Sequence, residues 1–310
     1  MRACFGFRPI GMRPLDLLAA VFVALIWGLN FVVIKLGLAE LPPLLFSALR
    51  FTVAALPWIF FVGRPQAPWR IILAIGLFLG VLKFSALFIG MDLGMPAGLA
   101  SLTLQMQAFF TVLFAAAWLK ERPAPRHLIG MAVAFAGLAL IAVDFGAAPR
   151  DLTGLALVVL AAALWAVANL FMKKAGGANA LNLIVWVSLV PPLPLFLVSL
   201  LMDGPGAVSG ALRNLDWTGI GAVLYIGLGA TIVGFGLWGR LLSRYPASLV
   251  APFSLLVPIF GMSSGAVLLG EPLGALRIAA AGLVLAGLAI ILLPSRAPAP
   301  LETTKPSQAS

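Results

Sequence analysis

Carboxylates are scarce in this sequence, ten against 20 lysines and arginines in 310 residues, and there is one cysteine and one histidine. With Cys4 alone, no internal disulfide can form and a multi-cysteine metal site is excluded. Only His127 offers an imidazole, so no metal and no cofactor are expected. No Walker motif, HExxH, CxxC or catalytic-triad pattern occurs, which leaves ATP hydrolysis and metalloprotease chemistry without support. Charged side chains of both signs make up 10% of the chain, where soluble domains carry about a quarter.

What fills the chain instead is apolar: 62% hydrophobic residues and a mean hydropathy of +1.12. Lipid is the solvent such a composition requires. The 32 glycines and 23 prolines fit that reading, because both are more frequent in membrane helices than in soluble ones. A bilayer core of about 30 Å takes about 20 apolar residues per helix. Ten such runs are present, at 16–36, 43–63, 69–90, 97–119, 125–145, 152–173, 180–202, 216–240, 247–270 and 273–293. Turn chemistry or charge separates them, as at Pro42-Pro43, Gly63-Arg64-Pro65, Asp203-Gly204-Pro205 and Glu271-Pro272. The first run is too long for a signal-peptide core and no small-residue cleavage site follows it, so it is read as a retained span, with Met12 as an alternative start. The expected fold class is therefore an all-α membrane protein of ten transmembrane helices.

Placing the N-terminus in the cytoplasm puts 14 of the 20 basic residues on that side, from Arg2, Arg8 and Arg13 to Arg296 and Lys305. Only Lys35, Arg150, Arg213 and Arg277 fall outside. That asymmetry favours both termini on the cytoplasmic side, and a bacterial inner membrane is the expected location. Basic residues scattered between apolar runs are topology determinants rather than a nucleic-acid face.

The chain repeats itself. Pro96-Ala97 precedes Glu121 by 25 residues and Pro246-Ala247 precedes Glu271 by the same 25; Gly137-Leu138-Ala139 then matches Gly287-Leu288-Ala289. Trp27 is followed eight residues later by Lys35, as Trp165 is by Lys173. Five spans per half is an odd number, so the second half enters the bilayer from the opposite side. Inverted repeats of this kind give two nearly isoenergetic arrangements around a midplane site, the basis of alternating access. The expected organisation is a cytoplasmic segment 1–15, a first five-helix repeat 16–145, an inverted second repeat 151–293 and a disordered tail 294–310.

The same residues carry a family resemblance. Ala24 to Lys35 (ALIWGLNFVVIK), Arg50-Phe51, and the run from Pro96-Ala97 to Glu121-Arg122, echoed by Pro246-Ala247 to Glu271-Pro272, resemble the drug/metabolite transporter superfamily of the EamA type over roughly 16–293. The resemblance implies ten helices around a central cavity and export of amino acids, aromatic and other neutral ones, or related small metabolites. Other branches carry nucleotide sugars, triose phosphates or purines, so a phosphate-ester or nucleotide-sugar antiporter is the alternative. A membrane-embedded enzyme is the rival of another class. With no acid or histidine at mid-membrane it lacks an ordinary general base, and no catalytic residue is assigned.

Candidate site residues are the polar groups inside spans, which usually face water or a partner. Arg50 lies about 10 Å from the outer end of the second run at 1.5 Å per residue, and Lys83 reaches a comparable depth in the third. Arg50, a part of the family pattern, is read first as structural, bonding helix-end carbonyls or reaching Glu40 or Glu271, and in the alternative as lining, with Lys83, an outward-opening cavity that attracts a substrate carboxylate. Lys83 either attracts a substrate carboxylate or snorkels. Asn30, Gln105, Gln107 and Asn169 can meet both ends of a zwitterion and Trp165 can wall an aromatic substrate, or all can serve as interhelical bonds. Tyr225 sits in a glycine-rich eighth run, and Pro252 and Pro258 flank Ser254 in a ninth run expected to be kinked at the cavity wall. Glu121 and Glu271 are charge-pair candidates at helix ends. Because no carboxylate lies at mid-membrane, a facilitator or exchanger is expected rather than a proton-coupled pump. The partners expected are a small-molecule substrate and the bilayer, and the state a monomer, with a dimer as the alternative.

Overall fold

The computed structural model describes residues 12–120, 125–144, 149–176 and 179–292. Glu121, the N-terminal eleven residues and the tail from 293 lie outside these. Among the described residues every regular element is a helix. In chain order they are α1 (Pro14–Leu38), α2 (Pro43–Phe60), α3 (Trp69–Asp92), α4 (Ala97–Trp118), α5 (Pro125–Asp144), α6 (Pro149–Lys174), α7 (Ala180–Met202), α8 (Gly204–Arg213), α9 (Trp217–Arg244), α10 (Ala247–Leu269, in segments) and α11 (Ala275–Leu292). Nine of these stretches are long and apolar enough to cross a bilayer, and α11 is a slightly shorter apolar helix. The helix α8 occupies the stretch read from sequence as a plain connection after Asp203-Gly204-Pro205.

The helices start and stop where their sequences say they should. Pro14 and Pro43 occupy first-turn positions, where no N–H is needed. Asn179 and Asp216 accept backbone N–H groups at the starts of α7 and α9. Lys120 and Gly270 close their helices in left-handed conformation, with φ of 54° and 67°. Large apolar side chains face outward as well as inward: Phe60, Phe61, Leu201 and Trp217 are each more than 80% exposed. A soluble protein would not leave them there; a lipid-embedded one gains by it.

Small residues bring the helix axes together. A Cβ on Gly137 would meet Val284 and the Ala280 carbonyl of α11 at 2.8 and 2.9 Å, so α5 and α11 pack backbone to backbone. The Gly76 to Gly80 pair of α3 likewise receives Val190 and Pro191 of α7, and Gly261 and Gly265 of α10 receive Ser101 and Glu271. Both pairs are internal packing surfaces.

Several long helices are interrupted. The third and ninth carry π-helical stretches at Gly76–Lys83 and Tyr225–Val233. The fourth breaks between Thr103 and Met106, and the tenth holds a 3-10 stretch at Ala251–Leu255, with Pro252 in its first turn, where a kink was expected. The seventh breaks between Val187 and Pro192, which the uninterrupted apolar run 180–202 did not suggest. Pro191 and Pro192 lack the N–H groups needed to continue it.

Candidate functional site

Lys83 ends the π stretch of α3. A π turn inserts one extra residue and so re-aims everything beyond it by about 100°. Here it buries Lys83 to 3% exposure, with Nζ 3.3 Å from the ring centroid of Phe84 and 4.6 Å from that of Trp165 on α6. The side chain does not snorkel.

Arg50 on α2 is equally buried, at 3%. Its guanidinium carbon lies 4.0 Å from the same Phe84 ring and 4.5 Å from Phe51. Nη2 donates to Thr231 Oγ1 at 2.8 Å, while Nε and Nη1 are buried without an acceptor. The expected pairing with Glu40 or Glu271 is absent. Glu271 instead accepts the backbone N–H groups of Ala97 and Gly98 at 2.5 and 2.9 Å, capping the start of α4. The carboxylate is drawn there because the first N–H groups of a helix have no internal partners and carry partial positive charge.

Thr231 reaches Arg50 because of the π stretch in α9. Its hydroxyl donates to the Ile226 carbonyl five residues back, at 2.9 Å. The carbonyl of Ala230 in the same stretch accepts from Trp27 Nε1 at 2.9 Å, and Tyr225 donates to the Ile26 carbonyl at 2.9 Å. Both bonds tie α9 to α1, so the Tyr225 hydroxyl is engaged in holding helices together. Trp27 completes an aromatic group with Phe235 and Trp238, each 5.3 Å from it. Trp27 was not among the expected site residues, although it lies in the Ala24 to Lys35 run and its match to Trp165 in the repeat was an available signal.

Two further pairs of candidates come together. Asn169 Nδ2 donates to Gln107 Oε1 at 2.7 Å and approaches Thr111 Oγ1 at 3.1 Å, forming a half-buried polar patch between α6 and α4. Gln105 Nε2 approaches the Ser254 carbonyl at 3.3 Å, so the breaks in α4 and α10 face one another. Asn30 is buried at its Oδ1 without a donor. No group of three metal-ligating side chains exists among the described residues.

Ion pairs lie away from this region. Arg277 Nε meets Asp144 at 2.6 Å and Arg244 meets Asp16 at 3.4 Å, both at helix ends. Tyr245 also donates to Asp16 at 2.7 Å. Arg50 and Lys83 thus both stand against the Phe84 ring, with Phe51 beside the first and Trp165 beside the second, and no carboxylate pairs with either among the described residues.

Comparison with known proteins gives this geometry a context. A model of the EamA-like transporter family matches residues 15–143 and again 152–293. A "probable amino-acid metabolite efflux pump" of Salmonella typhimurium is 45% identical over 284 residues, 90% of this chain and 95% of its own. The protein of the same description from Escherichia coli is 43% identical over the same shares. A "probable terminal-alkyne amino-acid exporter" of Streptantibioticus cattleyicolor is 30% identical, over 88% of this chain and 92% of its own. One solved crystal structure superposes with a TM-score of 0.62 at 21% identity, over 90% of this chain and 97% of that one. At that identity the likeness speaks for the fold alone.

Proposed function

The chain belongs to the EamA-like transporter family, and from that premise we propose that it exports amino acids, aromatic and other neutral ones, or related small metabolites by alternating access. The observation that carries the reading is the burial of two cations, Arg50 and Lys83, against the rings of Phe51, Phe84 and Trp165, with Arg50 bonded to Thr231 of α9. Placing a charge at the centre of a membrane helix costs about 2.5 to 3.5 kcal/mol on insertion scales, and such charges as a rule mark a solute pathway. The names of the relatives at 43% and 45% identity point to the same class of solute.

On this reading the chain crosses a bacterial inner membrane ten times, as two inverted five-helix repeats spanning 16–145 and 151–293, with both termini in the cytoplasm. The family model matching once in each half supports the repeat. So do local defects that recur about 150 residues apart: π stretches at Gly76–Lys83 and Tyr225–Val233, and left-handed helix ends at Lys120 and Gly270. The substrate site lies between the halves and draws on Asn30, Lys83, Gln105, Gln107, Trp165, Asn169, Tyr225 and Ser254. Transport is by facilitation or exchange, since the described carboxylates sit at or near helix ends.

Counterflow in vesicles holding purified full-length protein tests the reading. Internal unlabelled amino acid should drive uptake of labelled phenylalanine or other neutral amino acids above protein-free vesicles. No counterflow with any amino acid in the panel, but counterflow with sugar phosphates, would sink it. Accumulation against a gradient on imposing a pH difference alone would refute facilitation or exchange.

A further inference from the structure

The half-buried patch between α4 and α6 is built so that its polarity cannot reverse. Thr111 Oγ1 donates its one hydrogen to the Gln107 carbonyl, four residues back, at 2.6 Å. The hydroxyl can then only accept, so the atom of Asn169 that stands 3.1 Å from it is the amide nitrogen, Nδ2. The other hydrogen of Nδ2 goes to Gln107 Oε1 at 2.7 Å, which fixes the Gln107 amide in turn. Thr111 therefore sets the direction of both amides.

The lock leaves over one acceptor, Asn169 Oδ1, and one two-hydrogen donor, Gln107 Nε2. Neither has a hydrogen-bond partner among the described residues, and neither is sealed in the interior as Asn30 Oδ1 is. Two amides that served only to join helices would close on each other through two N–H···O bonds; these make one. The space they open to lies inside the molecule rather than in lipid. On α6 the exposed stripe runs through Leu152, Ala156 and Leu160. Asn169 stands nine residues beyond Leu160, on the opposite side of the helix at about 100° per residue. On α4, Thr111 is two residues from exposed Leu113, again across the helix at about 200°.

A free acceptor and a free donor, held in fixed order and without charge of their own, match a zwitterion. An ammonium group offers donors alone and a carboxylate acceptors alone. A phosphoryl group, rich only in acceptor oxygens, would set an acceptor against Asn169 Oδ1. We propose that Asn169 Oδ1 receives the α-ammonium and Gln107 Nε2 the α-carboxylate of the exported amino acid, with Thr111 as the positioning residue that holds them in that order. The assignment rests on the exporter reading and names what its site recognises, both charged groups of the amino acid at once.

Thermal unfolding of the purified full-length protein with added ligand measures binding apart from flux. L-Phenylalanine should bind at least about tenfold more tightly, a step of 1.4 kcal/mol, than phenethylamine, which lacks the carboxylate, or 3-phenylpropionate, which lacks the ammonium. Gln107→Leu should abolish the preference over phenethylamine and keep that over 3-phenylpropionate, because Thr111 still holds Asn169. Thr111→Val should reduce both preferences severalfold, and Thr111→Ser, which retains the hydroxyl, should restore them. A purely structural role would lower the midpoints of the ligand-free variants and leave these ratios unchanged. Equal binding of the three ligands by wild type, loss of the other preference in Gln107→Leu, or undiminished preferences in Thr111→Val overturns the assignment. If Gln107→Leu does not fold, the two Thr111 variants decide alone. Counterflow separates the two readings. Preferences that follow the assignment without any amino-acid flux leave the subsite standing and remove the exporter; amino-acid flux with undiminished preferences in the variants does the reverse.

Discussion

At the start of α9 one carboxylate stands in for a missing helical turn. Asp216 Oδ1 accepts from the N–H groups of Thr218 and Gly219 at 2.7 and 3.0 Å. Those bonds, that from Gly219 foremost, hold its carboxyl below the ordinary value of 3.8. A carboxylate whose folded value is depressed adds stability above its unfolded value, and that stability is lost as pH falls through the folded one. Acid unfolding of wild type should therefore show a contribution from Asp216 that is full at neutral pH and fades below 3.8. Asp216→Asn keeps a capping oxygen but cannot titrate, so its stability should fall less steeply over that acid range, as followed by circular dichroism in detergent. Identical slopes for both proteins would dismiss the effect. This cap was legible as a residue type before a helix. Arg50 was legible only as a buried cation. Its partner Thr231 lies 181 positions away, and no local pattern encodes which of several distant groups a guanidinium will meet.

Helix existence was readable because an apolar run of sufficient length has no alternative in lipid, yet the interruptions were read unevenly. Pro252 announced the 3-10 stretch in α10, whereas the π stretches of α3 and α9 carry no signature residue. They form where side chains from other helices hold them: Trp27 on the Ala230 carbonyl, Arg50 on Thr231, Pro191 against Gly80. Packing of this kind distinguishes the glycines in them. Gly80 faces the Pro191 ring so closely that a Cβ has no room, while a Cβ on Gly229 would find only the Tyr225 ring, at 3.8 Å. Gly80→Leu should then lower the unfolding midpoint markedly, in the range of about 1 to 3 kcal/mol typical of overpacked cores. Gly229→Ala should be neutral or stabilising by up to about 1 kcal/mol, the helix-propensity difference. Equal midpoints for the two variants would mean that α3 and α7 do not meet at Gly80 in the membrane.

For the whole molecule the question is what holds it in this conformation. At one end, α1 and α3 are joined by Lys35 Nζ donating to the Met91 carbonyl at 2.7 Å, and Glu271, just beyond α10, caps α4. The first turns of α4 are buried there, Ala97 to Thr103 throughout. At the other end Phe110, Thr111, Phe235 and Trp238 are only half-buried. With the proposed topology, this is a conformation closed to the outside, and Glu271 is the bond between the halves that an outward-open conformation must break. Charge-assisted hydrogen bonds are worth about 1.5 to 3 kcal/mol each, and a change of 1.4 kcal/mol shifts a two-state ratio tenfold. Glu271→Ala should therefore raise the outward-open fraction by about tenfold or more. Ser101, fully buried on α4 against Gly261, provides the reporter. In a Cys4→Ser background, Ser101→Cys should be labelled slowly by a membrane-impermeant maleimide added from outside. The rate should rise in the Glu271→Ala variant and be intermediate in Glu271→Gln, which retains one acceptor oxygen. Equal labelling rates in all three would show that the Glu271 cap does not control access, and the closure would have to be sought at Lys35 and Met91 instead.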